Sequence, residues 1–166
     1  MDFYESEYVL IALHTSLDDF AVAYWLNKHL KTKFKRHKRD LDLNTDATFS
    51  VFDWHDISSD SYWTLLSNKH LSLQHLATQD LFTNAALEKK QCLIPEYKGV
   101  DFFLKIEEQR FLNIKELVIK LKQLPVIVTA FTVDQSQLKS KNNLIFEYAK
   151  RKKNKNSSHF RPCNQY

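Results

Sequence analysis

The sequence predicts a single α+β domain over residues 1–149, a mixed or mainly antiparallel sheet of about five to seven strands with two principal helices, followed by a basic tail over 150–166. Three observations carry that expectation. Short apolar runs of strand length recur along the chain. Two segments, 17–30 and 112–124, combine a helical run of apolar residues with a cap. The resulting order of strand, helix, several strands, helix and strand suits α+β architecture. At 166 residues with 43% hydrophobic content, the chain is one domain long and can bury a core.

Residues 7–14 (EYVLIALH) are of strand length, with β-branched and aromatic members. A helix start follows directly, with Ser16 as cap and Asp19 three residues on completing a capping box. The helix over 17–30 carries Asp18 and Asp19 in its first turn and Lys28 and Lys31 at its end, charges that complement the macrodipole. Its apolar residues nearly encircle it: Leu17, Phe20, Ala21 and Tyr24 on one side, Val22, Trp25, Leu26 and Leu30 round the other. Such a helix asks for cover from the sheet and from another element or subunit. Residues 33–38 alternate charge as an edge strand does. The runs 47–55 (ATFSVFDWH) and 62–67 pair as a hairpin across a polar turn, 58–61. Residues 70–90 lack clean periodicity and read as an excursion with one short helix near 81–87.

The stretch 91–107 organises the rest, because it holds the only glycine and one of three prolines between two apolar runs. Tyr97, Lys98 and Gly99 suit a three-residue hairpin loop, with Gly99 in the left-handed position of a bulge. That register sets Ile94 opposite Phe102 and puts Cys92, Ile94, Val100, Phe102, Leu104 and Ile106 on one core-facing side. Pro95 marks an edge strand or an interruption. Glu96 and Asp101 then face opposite sides near a sheet end, with hairpin hydrogen bonding or a salt bridge to Lys98 as their expected role.

In the second helix, Asn113 caps, Glu116 follows at the third position and Leu112 staples onto Leu117. Pro125 ends it, and 126–133 (VIVTAFTV) is apolar on both faces as a central strand would be. Over 138–148, Asn142 and Asn143 suggest a turn before a final strand or helix. From 150 the chain is polar and unpatterned, the signature of a disordered tail.

Ile94-Pro95-Glu96, three residues, then Val100-Asp101-Phe102 resembles the signature of the IPExxxVDY family, with Phe102 where that signature ends in Tyr. Residues 10–30 and 138–146 resemble further family segments. The resemblance marks Ile94, Pro95, Glu96, Gly99, Val100, Asp101 and Phe102 as motif positions. It implies a small bacterial protein and assigns no activity to any residue.

A single glycine excludes dinucleotide fingerprints, phosphate loops and the Gly-x-Ser-x-Gly elbow, each of which needs close backbone approach at more than one position. Zinc spacings are absent, and Cys92 and Cys163 read as free thiols. No apolar run reaches the ~18 residues of a membrane helix, and the first eight residues are acidic where a signal peptide is basic, so a cytoplasmic protein is expected.

Among polar clusters, Asp53, His55 and Asp56, with His14, offer acid/base or ligand chemistry for a small hydrolase-like enzyme. Strand alternation turns Asp56 away from the other two. His14 to Asp19 lies at a strand-to-helix junction where ligands bind in α/β sheets, but capping accounts for Ser16 and Asp19. Tyr24, Trp25, Trp54 and Trp63 sit at core spacings rather than as a stacking platform.

The net charge of +4 hides two basic stretches, seven Lys/Arg over 28–39 and six over 150–166, which leave eleven basic residues against twenty acidic, about −9, elsewhere. The leading reading is a non-enzymatic protein-binding or homo-oligomeric module with no catalytic residues, metal or cofactor. The alternative is an RNA-associated protein using Lys28, Lys31, Lys35, Arg36, Lys38 and Arg39 with the stretch 150–161, a reading that the acidic remainder disfavours.

Overall fold

The computed structural model describes residues 8–43, 47–75, 86–108 and 112–145. In chain order they form β1 (Tyr8–His14), α1 (Asp19–Leu30), β2 (Lys35–Arg36), β3 (Leu41–Asp42), β4 (Thr48–Phe49), β5 (Val51–Asp56), β6 (Ser61–Ser67), β7 (Lys69–His75), β8 (Ala86–Cys92), β9 (Phe102–Glu107), α2 (Ile114–Lys122) and β10 (Thr129–Thr132), with 3-10 turns at Pro95–Tyr97, Gln135–Gln137 and Lys141–Leu144. Six strands make one antiparallel sheet in the order β10-β1-β9-β6-β5-β2, and β3–β4 and β7–β8 form separate ribbons. This is the α+β domain the sequence predicts.

Because side chains alternate along a strand, each central strand supplies two cores. Ile11, Leu13, Phe52, Leu65, Leu104 and Ile106 meet Val22, Ala23 and Leu26 of α1 and Leu117 and Leu121 of α2. The opposite residues, Leu10, Ala12, Val51, Leu66 and Phe103, meet Leu93, Ile94, Val100, Leu138 and Leu144. Both helices therefore cover one face, and turns and extended segments cover the other. Residues 10–13 and Phe103 and Leu104 are apolar in succession because β1 and β9 are covered on both faces. Lys105, the one cation within β9, is buried beneath the last 3-10 turn: its Nζ donates to the Leu144 carbonyl at 2.9 Å, stands 3.2 Å from the Glu107 carboxylate, and lies over the Tyr8 ring.

Several local expectations hold. The β5–β6 hairpin forms, β2 is an edge strand, and α2 begins where the Asn113 side chain accepts the Glu116 N–H at 3.2 Å. Asn142 and Asn143 do lie in a turn.

Others are corrected. The cap of α1 is Asp18, whose extended backbone aims Oδ1 at the Ala21 N–H (2.8 Å), so the helix starts at Asp19, and Ser16 and Leu17 belong to the loop before it. β10 is an edge strand paired, among the described residues, with β1 alone. It reads as apolar on both faces because Ile127 and Ala130 join the helical core while Phe131 and Val133 join the other. Residues 70–75 and 86–90 are strand, in β7 and β8, so Ala86 and Leu87 are not helical; 76–85 lie outside the described residues, as do 146–148 and the tail.

The expected hairpin over 91–107 does not form. β9 is paired on both sides, with β1 and β6, which leaves no edge for residues 91–96, and β8 pairs with β7 instead. Pro95 opens a 3-10 turn, in which the Tyr97 N–H reaches the Ile94 carbonyl and the Val100 N–H the Tyr97 carbonyl. Gly99 has no positive φ, and an added Cβ would meet His14 Cε1 at an ordinary 3.5 Å. Phe102, Leu104 and Ile106 face the helices while Ile94 and Val100 face the other way, and Cys92 is half-buried.

Candidate functional site

The motif segment is held by a residue that periodicity does not reveal. Asn68, between β6 and β7, is fully buried, and each polar group of its side chain is used: Nδ2 donates to the Tyr97 and Val100 carbonyls, and Oδ1 accepts the Ile94 N–H. Its backbone N–H donates to the Asp101 carbonyl and its carbonyl accepts the Leu93 N–H. One amide thus replaces a strand partner for residues 93–101. This meets the need of buried backbone groups for hydrogen bonds where no ladder runs.

Asp101 extends the same knot. Its Oδ2 accepts the Thr15 N–H at 3.0 Å and stands 3.5 Å from His14 Nδ1, while Oδ1 contacts the Lys69 ammonium. Lys69 also donates to the Gly99 carbonyl, and Thr15 Oγ1 to that of Val126. Both oxygens of Asp101 are committed to tying β1, β7 and the motif together, and Lys98 is not among their partners. Glu96 looks elsewhere, accepting the Ser140 N–H at 2.9 Å and the Ser140 hydroxyl at 2.7 Å. Slight burial acts to raise its pKa, but the Ser140 hydroxyl and nearby backbone N–H groups outweigh it and hold the carboxyl below its ordinary value. Pro95 and Glu96 line a shallow depression with Lys139 and Ser140. Phe102 packs in the helical core, where a tyrosine hydroxyl would need a partner of its own. The motif therefore reads as structure, and Asn68, Lys69 and Ser140 are the partners that sequence reasoning missed.

The Asp/His site is not assembled. His14 ends β1 beside the Phe102 end of β9, whereas His55 lies at the other end of the sheet, in the row of Tyr62, Glu107 and Tyr8. His55 pairs with Asp60 at 3.0 Å and stacks on Tyr62. Burial acts to raise the Asp56 pKa, yet the hydroxyls and N–H groups of Ser58 and Ser59 hold it below its ordinary value, as a turn cap. Asp53 stands opposite Thr64 and Lys35. Among the described residues no three His, Cys, Asp or Glu side chains form a metal-binding group.

The third region is the outer face of α1 with β2. Val22, Ala23 and Leu26 face the sheet, which leaves Phe20 (62% exposed) and Tyr24 (60%) one turn apart on the outside, followed by Lys28 and Lys31. The Lys28 ammonium lies over the Tyr24 and Trp25 rings at 5.9 and 5.6 Å. Arg36 of β2 lies over the Phe20 and Phe52 rings, donates to the Val51 carbonyl and pairs with Asp40. Lys35, Lys38 and Arg39 continue the exposed basic rim. The structure thus gathers Lys28, Lys31, Lys35, Arg36, Lys38 and Arg39 where α1 runs into the sheet edge. Among the described residues the helix is covered on one side only.

No family model matches the chain, and neither the curated proteins nor the solved structures hold a match to it. Among the described residues no helix is long and apolar enough to cross a membrane.

Proposed function

We propose that this chain is a non-enzymatic protein-binding module, of the IPExxxVDY type and acting in the cytoplasm, that docks through the outer face of α1. The observation that carries the reading is the pair of exposed rings, Phe20 and Tyr24, on a helix whose opposite face is already buried. Aromatic side chains ringed by cations are typical anchors of protein interfaces, because they bring large apolar area with little side-chain entropy to lose. The rim of Lys28, Lys31 and Arg36 gives the partner surface its chemistry: apolar at the centre and acidic at the margin.

The test is size-exclusion with light scattering on the full chain, both purified and in extract of its own cell. The native chain is expected in a species larger than the monomer. F20S/Y24S returns it to monomer without unfolding, since both rings are largely exposed. I119S, which alters an exposed apolar residue of α2, leaves the complex intact. A native chain that is monomeric in both settings, or an F20S/Y24S chain that keeps its complexes, overturns the reading.

A further inference from the structure

Phe20, Tyr24 and Lys28 follow one another at intervals of four residues along α1, and the exposed Lys31 stands at its C-terminal cap. Such spacing makes a single stripe, opposite Val22, Ala23 and Leu26, that passes from aromatic to cationic in one direction. We infer that its occupant is a short linear acidic segment of another protein, with apolar side chains over Phe20 and Tyr24 and carboxylates over Lys28, Lys31 and the rim beyond. The inference rests on the docking role proposed above and names the class of partner.

The first observation is charge without counter-charge. Asp18 is taken up in capping α1, Asp19 lies toward the buried stripe, and residues 28–39 hold no carboxylate, so the face has no acid of its own. Among the described residues Arg36 pairs with Asp40, Lys28 lies over the Tyr24 and Trp25 rings, and no carboxylate stands within ion-pair distance of Lys31, Lys35, Lys38 or Arg39. The rest of the chain carries about −9, yet none of those acids is spent here. Crowded cations repel one another, and an acidic partner relieves that repulsion on binding.

The second observation is size. From Phe20 to Lys31 the stripe is about 16 Å long at 1.5 Å per residue, the reach of about five residues of extended chain at ~3.3 Å each. Two exposed rings offer less apolar area than the core of a standard interface between folded proteins, but enough to anchor a peptide. Charges farther off than the ~8 Å screening length count little, so a short segment meets the basic end alone. A long nucleic-acid strand would run on past the acidic body, which repels it.

The experiment is fluorescence anisotropy on the purified full chain with three labelled probes: a peptide of two leucines followed by five glutamates, the same peptide with glutamine in place of glutamate, and a seven-nucleotide oligouridylate. The native chain is expected to bind the acidic peptide, more weakly as salt is raised, and to bind the other two at least ~10-fold more weakly. K28E/K31E and F20S/Y24S should each weaken the acidic peptide ~10-fold or more, and I119S should leave it unchanged, with circular dichroism confirming that every variant folds. Undiminished binding by either double variant, or glutamine peptide or oligouridylate bound as tightly as the acidic peptide, overturns the inference. So does a native chain that leaves the acidic peptide free up to millimolar protein; if F20S/Y24S still abolishes a complex in cell extract, the docking role survives and only the linear acidic partner is refuted.

Discussion

The two helices lie on the same face of the same sheet and differ in what they leave outside. α2 buries Leu117 and Leu121 and turns Lys115, Glu116, Lys120 and Lys122 outward, with Glu116 and Lys120 paired at 2.7 Å one turn apart. Ile119 is the one exposed large hydrophobic on it. α1 buries Val22, Ala23 and Leu26 in the same core, yet its outer middle is Phe20 and Tyr24. The inner faces answer to one requirement, the removal of apolar area from water. The outer faces differ: α2 presents the Glu116–Lys120 pair to solvent, whereas α1 presents the rings of Phe20 and Tyr24.

The comparison breaks most visibly if the inner faces are not equivalent. L26A and L121A each empty a fully buried site in the shared core and are expected to cost about 2–5 kcal/mol, comparable for both. Urea denaturation of dilute protein checks this, and a small loss for L26A beside a large one for L121A would show that α1 is not seated as α2 is. Next come the caps. D18A and N113A remove single side-chain acceptors of the same kind and should each cost about 1 kcal/mol. If S16A destabilised the fold more than D18A in that assay, the helix start would be misplaced.

The smallest effect sharpens the outer-face contrast through pH. A hydrogen bond from Lys120, and then its charge, hold the Glu116 carboxyl below its ordinary 4.5. A depressed carboxyl contributes stability that is fully present above 4.5 and is lost as pH falls through the lowered value. The melting temperature of the native chain should therefore exceed that of E116Q at neutral pH and converge with it in the acid range below about 4.5. A gap that widened toward acid would remove the pair from the account of α2.

Local chemistry legible in the chain includes the Asn113 cap, the β5–β6 hairpin, the charged edge at β2 and the count of two helices, because caps, polar turns and apolar periods act over a few residues. The apolar girdle of α1 was equally legible, and with it the candidate docking face. What the sequence by itself could not determine is which strand lies beside which. Residues 91–107 carry every local mark of a hairpin, yet β9 is taken on both edges by β1 and β6, partners 89 or more and 35 or more residues away, and the freed segment is satisfied instead by the side chain of Asn68. The apolarity of 126–133 likewise showed that both faces of β10 are covered and not that it stands at an edge. Periodicity reports how each residue divides between core and water, which is a local property; strand order and the reach of a single amide across the fold are settled only when distant segments compete for the same backbone hydrogen bonds.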